Sequence, residues 1–319
     1  MQKQIFREVE NATDRLRGNI LHTPLLPSPY LSSLSGGRVY LKMESEQYTG
    51  SFKARGSLNK LLWLREQEAP FYPVTASTGN HGLGFARGLD LLGIEGKIYL
   101  PETAVPSKVE RIRLYDVEIE FVSDDPYETE MHARRQADEH DNWIYVSPYN
   151  DPQVIGGQGT IGAEILHDLA QPDNILATVG GGGLISGIAG FLACKRPETR
   201  IIGCQPEHSP EMSVSVQAGS YREVESKPTL SDGSAGGFER DSITFDLCRQ
   251  LVDDFILVSE QEIADGITLM IDRHSKLVEG SAGVAVASFV KNVSRFADQT
   301  TVIVICGANI SRKTLKSII

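Results

Sequence analysis

Ile5, Val9, Ala12 and Leu16 recur at helical spacing with Gly18 as a stop, so the chain is expected to open with an amphipathic helix. Val39–Met43 then reads as a strand. From there short β-like apolar runs alternate with helical patterns. Strands are expected at Val74–Ala76, Lys97–Leu100, Ile119–Val122 and Ile144–Val146, with helices near 80–92, 106–115 and 127–139. A second series places strands at Ile175–Val179, Arg200–Cys204, Phe255–Val258 and Thr301–Ile305, with helices near 156–169, 184–194, 260–274 and 280–291. Such alternation predicts an α/β fold of two open, mostly parallel twisted sheets flanked by helices. Residues 72–149 hold a self-contained series and are expected to form a small domain. Residues 1–71 and 150–319 would form the large one. Ligands in open α/β sheets sit beyond the carboxyl ends of the strands, so chemistry is expected between the lobes. The stretch 207–240, rich in Ser, Gly, Pro and Glu, reads as a surface or interface loop.

Composition narrows the function classes. The 319 residues are 40% hydrophobic and 23% charged, enough apolar content to bury a large core. A net charge of −11, with Lys and Arg scattered among acidic residues, argues against a nucleic-acid surface. Cys194, Cys204, Cys248 and Cys306 show no close pairing, which points to reduced thiols rather than a disulfide frame or zinc site. No apolar run approaches the roughly 18 residues of a membrane span, and Met1–Arg17 lacks a signal core. A cytoplasmic protein without a membrane partner is expected.

Three segments carry candidate chemistry. Thr49-Gly50-Ser51-Phe52-Lys53-Ala54-Arg55-Gly56 sets one lysine in a glycine-flanked turn before an amphipathic run, Leu58, Leu61, Leu62 and Leu64. A lysine desolvated there loses its proton more easily and becomes a Schiff-base nucleophile, although most Ser-x-Lys strings are surface residues. Gly180-Gly181-Gly182-Gly183 follows a strand and opens a helix at Leu184, where free N–H groups can hold a phosphate. A flexible turn is the plain alternative. A dinucleotide site is weaker, because no acidic residue follows at a strand end roughly 20 residues on. Ser77-Thr78-Gly79-Asn80-His81 also joins a strand to a helix, and its N–H groups can hold a carboxylate, or it is simply a polar cap. Cys306, at the end of a buried-looking strand, is a packed residue or a thiol facing a ring nitrogen.

Together with Leu21-His22-Thr23-Pro24-Leu25, Gly157-Gln158-Gly159-Thr160 and Glu279-Gly280-Ser281-Ala282-Gly283, these segments resemble the fold-type II pyridoxal-phosphate enzymes (tryptophan synthase β-like), in particular the serine/threonine dehydratase and serine racemase group. Segment order is kept over nearly the whole chain. The resemblance implies pyridoxal 5′-phosphate joined to Lys53, with Phe52 packed beside the ring. It implies a phosphate held by Gly180, Gly181, Gly182, Gly183 and Leu184, a ring 3′-oxygen bonded by Asn80, and Cys306 at the ring nitrogen. It further implies a substrate carboxylate gripped by Ser77, Thr78, Gly79, Asn80 and His81, and a homodimer. Lys53 would act as general base, with Thr78 the hydroxyl on the opposite face.

The implied activity is β-elimination from a small β-hydroxy amino acid such as L-serine or L-threonine, giving a 2-oxo acid and ammonia. Alternatives on the same scaffold are a serine racemase, a 3-hydroxyaspartate dehydratase or a catabolic dehydratase for a hydroxyectoine derivative. A cofactor-binding protein without catalysis is the alternative from another class. Racemases of the group carry serine where this chain has Thr78. The group's divalent-cation site matches Gln205, the Ser209 carbonyl and Glu211, and the lost carboxylate leads to the expectation of no metal. The chain stops at Ile319, soon after Cys306, so feedback through a following regulatory domain is not expected. Ser147-Pro148-Tyr149-Asn150 is a candidate pocket wall.

Overall fold

The computed structural model describes residues 1–319. The chain opens with α1 (Gln2–Arg15), β1 (Leu25–Pro27), α2 (Pro29–Ser35), β2 (Arg38–Lys42) and α3 (Lys53–Glu66). Next come β3 (Tyr72–Ala76), α4 (Asn80–Leu92), β4 (Lys97–Leu100), α5 (Pro106–Ile112), β5 (Glu118–Phe121), α6 (Pro126–Glu139) and β6 (Trp143–Tyr145). The third stretch holds α7 (Pro152–Asp168), β7 (Asn174–Thr178), α8 (Gly183–Lys195), β8 (Arg200–Pro206), α9 (Glu211–Ala218), α10 (Ile243–Leu251) and β9 (Asp254–Val258). It closes with α11 (Glu260–His274), α12 (Gly280–Lys291), β10 (Thr300–Val304) and α13 (Arg312–Lys316).

Two sheets result. Six strands run in the order β1-β2-β10-β7-β8-β9, parallel except for the antiparallel edge β1, and four all-parallel strands run β5-β4-β3-β6. The central strands β7 and β10 are buried at every position, as expected where helices cover both faces. The expected strands and helices all form, most with ends shifted by a few residues. One expectation is corrected: 207–240 is not all loop, because Glu211–Ala218 is helical and buries Met212 and Ser215 against the large core. That buried face is too narrow to show in a polar sequence. β1 and α2 were also not foreseen, β1 being a three-residue strand that exists only by pairing with β2.

Helix α3 stitches the halves together. Leu58 and Leu62 pack with Ala12 of α1 and Leu16 just past its end, while Leu61 belongs to the core of the four-stranded sheet. It lies between α4 and α7. The approach to α7 is close enough that a Cβ on Gly157 would sit 2.7 Å from the Arg55 carbonyl, so only glycine fits. Beneath it, fully buried Arg55 bonds Glu44 at 2.7 Å and Glu164 at 2.6 Å, and buried Lys42 joins Glu164 at 2.6 Å. Thr23 donates its hydroxyl to Glu44 and accepts Lys42 Nζ on its carbonyl. Lys53 thus starts a helix anchored by packing above and a paired charge network below.

Candidate active site

Parallel strands aim their carboxyl ends at one cleft. The segment after β2 delivers Lys53, β7 delivers the glycine loop, β10 delivers Cys306, and β3 delivers residues 77–81. Two adjoining pockets share Lys53, Asn80, Gly233 and Glu279. The inner one is lined by Phe52, Gly180, Gly181, Gly182, Gly183, Leu184 and Cys306; the outer, about 330 Å³, by Ser77, Thr78, Gly79 and His81. All the singled-out residues therefore border one cleft.

Lys53 is the first residue of α3, and its amine donates to the Pro148 carbonyl at 2.8 Å. Burial lowers its pKa to about 8, with Cys306 and Glu279 pulling the other way. A sizeable neutral fraction at mildly alkaline pH leaves this amine a lone pair with which a nucleophile or a base can work. The Phe52 ring centroid lies 5.2 Å from it.

The glycine loop is locked on its protein side and open on the other. A Cβ on Gly181 would stand 2.4 Å from the Tyr149 ring, and Gly182 has φ +84°. Thr244 Oγ1 donates to the Gly181 carbonyl at 2.6 Å. The N–H groups of Gly181, Gly182, Gly183 and Leu184 have no backbone acceptor at the start of the 13-residue helix α8. This is a cradle for an anion such as a phosphate. Tyr149 backs the cradle, so the expected pocket wall at 147–150 supports it from behind. Cys306 is buried, and that burial, with Glu279 adding, pushes its thiol well above the ordinary range. It is a neutral group beside the inner pocket. An amine, a phosphate cradle and an uncharged thiol fit pyridoxal phosphate.

The 77–81 loop enters α4 at Asn80, and the N–H groups of Asn80, His81 and Gly82 have no backbone acceptor. His81 belongs to the expected carboxylate loop, although a lone histidine there is more often structural than catalytic. Its side chain is buried, with Nε2 3.0 Å from the Val146 carbonyl and 3.1 Å from Thr75 Oγ1, and Nδ1 3.3 Å from Ser57 Oγ. Burial and then Lys53 hold its pKa down to about 3, so the ring is a neutral strut, while its backbone N–H at the start of α4 has no backbone acceptor. Thr78 lines the outer pocket with Lys53.

Glu279 escaped the sequence reading as a functional residue. Both its oxygens accept from Asn80 Nδ2, at 2.9 and 3.0 Å, and Oε2 also accepts the Asn309 N–H at 3.0 Å. Asn309 Nδ2 in turn donates to Asn80 Oδ1 at 2.6 Å. Asn80, expected to point at a ring oxygen, is thereby oriented by partners at both ends of its amide. Burial raises the carboxyl pKa of Glu279, against the pull of these bonds. Its only signal was an acidic residue directly before a run of small residues, Gly280-Ser281-Ala282-Gly283. Elsewhere, Gln205 Nε2 donates to the Ser209 carbonyl at 3.3 Å, and Glu211 accepts from Ser209 and Ser226 hydroxyls.

The family model described as pyridoxal-phosphate dependent enzyme matches residues 16–307. The chain is 38% identical over 317 residues to an L-threonine ammonia-lyase of Thermotoga maritima, covering 98% of this chain and 78% of the relative. It is 37% identical to a catabolic L-threonine dehydratase of Escherichia coli, covering 98% and 94%. Among solved structures, maize serine racemase superposes with a TM-score of 0.91 at 27% identity, covering 98% of this chain and 95% of that one. The processed form of threonine deaminase isoform 2 from Solanum lycopersicum gives 0.91 at 30%, covering 99% and 92%. With its lysine, glycine cradle and two sheets, the chain belongs to the fold-type II pyridoxal-phosphate dependent enzymes.

Proposed function

We propose that the chain is an ammonia-lyase that eliminates water from L-threonine or L-serine and yields a 2-oxo acid and ammonia. Relatives bearing that activity match nearly its full length. The observation that carries the proposal is the Lys53 amine, buried, lowered to about 8 and set between the glycine cradle and the 77–81 loop.

Each residue has a part. Gly181, Gly182, Gly183 and Leu184 would donate N–H groups to the phosphate, with Gly180 giving the backbone room. Phe52 would flank the ring, and Cys306, a neutral thiol, would stand at its nitrogen and leave the ring a moderate electron sink. Asn80, oriented by Glu279 and Asn309, would serve the 3′-oxygen. Bound pyridoxal phosphate supplies an aldehyde carbon that captures the substrate amine and a ring that withdraws electrons from Cα. The backbone of Ser77, Thr78, Gly79, Asn80 and His81 holds the substrate carboxylate at the start of α4. Lys53 Nζ takes the Cα proton and returns a proton to the leaving hydroxyl, so the Cβ–O bond breaks with loss of water; the released enamine tautomerises to an imine and takes up water to give the 2-oxo acid and ammonia. Lys53→Ala should lose turnover by several orders of magnitude, read as 2-oxo acid release from L-threonine and L-serine. Retained turnover would refute the assignment.

A racemase is the second reading, favoured by the hydroxyl of Thr78 lining the pocket that holds Lys53. Incubation with L-serine separates the two, through D-serine against pyruvate. The small lobe 72–149, the large lobe 1–71 with 150–319, a homodimer and a cytoplasmic location belong to the same proposal. Light scattering tests the dimer.

A further inference from the structure

Outside the cleft, three chemistry-bearing side chains converge. His22 lies between α1 and β1, and His167 and Asp168 are the last two residues of α7. Asp168 Oδ2 takes His22 Nε2 at 2.8 Å, and Oδ1 takes His167 Nδ1 at 3.0 Å. One nitrogen from each ring and a carboxylate oxygen all lie within 4.8 Å of one another. The rings meet edge to face with centroids 5.5 Å apart. None of the three lines the active-site pockets.

We propose that His22, His167 and Asp168 form a surface site for a divalent transition-metal ion of the Zn²⁺ type, with water completing its coordination. Two imidazoles and one carboxylate are a donor set for zinc, nickel, cobalt or copper, whereas magnesium and calcium prefer all-oxygen sites. Bonds of about 2.0–2.2 Å around a tetrahedral ion place ligand atoms about 3.3 Å apart, so the two observed N–O contacts need widen only slightly. The C-terminal end of the 17-residue helix α7 adds partial negative charge.

The neighbourhood also suits a dication. Lys42 and Arg55 give two positive charges against three negative ones on Glu44, Glu164 and Asp168, a formal sum of −1. Lys42 spends its amine on Glu164 at 2.6 Å rather than on Asp168. Ion binding needs a lone pair on each ligating nitrogen, so any proton that His22 Nε2 or His167 Nδ1 holds against Asp168 must move to the other ring nitrogen or to solvent.

The test uses the full-length, cofactor-loaded protein without an affinity tag, titrated with Co²⁺ and followed by ligand-field absorption. One ion per chain is expected, displaced by Zn²⁺ and not by Mg²⁺, with Zn²⁺ raising Tm. His167→Gln and Asp168→Asn should each weaken Zn²⁺ binding about tenfold or more, and His22→Gln with His167→Gln should abolish it. The His167 side chain is 79% exposed, so its variant retains the fold. No ion bound by the wild type, or wild-type affinity retained in both His167→Gln and Asp168→Asn, overturns the proposal.

Discussion

At the scale of single residues, two buried bases titrate in ways that report on the cleft. His81 has its pKa lowered to about 3 against an ordinary 6.5, so between those values the unfolded chain binds a proton that the folded one refuses. Stability is therefore full above pH 6.5 and drains as pH falls toward 3, by about 1.4 kcal/mol per pH unit from this group. The difference in unfolding free energy between wild type and His81→Gln should shrink across that window, as denaturant melts at several pH values would show. Lys53 behaves similarly at higher pH. Its ordinary value is 10.5 and its folded value about 8, so the unfolded state binds more protons between the two. Cofactor-free wild type should gain stability relative to Lys53→Met as pH climbs from 8 to 10.5, and a flat difference would place the amine in water. Lys53 and the four glycines were legible in the sequence because each is an unusual residue type in a distinctive local string. Neither the burial of His81 nor the reach of Glu279 to Asn80 was legible. Both depend on partners 65 and 199 residues away, which no local pattern encodes.

At the scale of elements, Lys53, proposed as the catalytic base, is only as well placed as helix α3. Its second and third turns bury Leu58, Leu61 and Leu62, and its first rests on Arg55 with Glu44, Glu164 and Lys42. Removing one partner of such a network leaves charge unpaired in the interior, at a cost of about 3–5 kcal/mol. Arg55→Met should lower the unfolding free energy by that amount. Glu164 is held below the carboxylate range against its burial, first by Arg55 and then by Lys42, so its pKa should rise in the same variant. A loss below about 1 kcal/mol would show that water already reaches the pair. Periodicity recovered α4, α11, α12 and β4 to the residue, because each carries a sustained apolar face or an uninterrupted β run. It missed β1 and α9, where three residues form a strand only by pairing with the next one and three buried side chains anchor a short helix.

At the scale of the whole molecule, the two sheets meet across the cleft at few polar points, and these differ in worth. Lys108 of α5 reaches Asp232 at 3.1 Å, but Asp232 is 65% exposed, so Asp232→Asn should change stability by no more than about 0.5 kcal/mol. Glu279 is different. It is buried at the start of α12 yet holds Asn80 at the start of α4, and it shares Asn309 with the loop after β10. Glu279→Gln keeps the shape but replaces one acceptor oxygen by an amine that confronts a donor, either Asn80 Nδ2 or the Asn309 N–H. An unmet buried donor costs about 1–3 kcal/mol. That strain falls on Asn80 and on the N–H groups beside it, where the substrate carboxylate and the cofactor ring are proposed to sit. The kcat/KM for L-threonine should therefore fall about 5- to 150-fold in Glu279→Gln, while Asp232→Asn stays near wild type. Equal kinetics in Glu279→Gln and wild type would mean that Asn80 is oriented by Asn309 alone, and that the buried carboxylate serves packing rather than closure of the cleft.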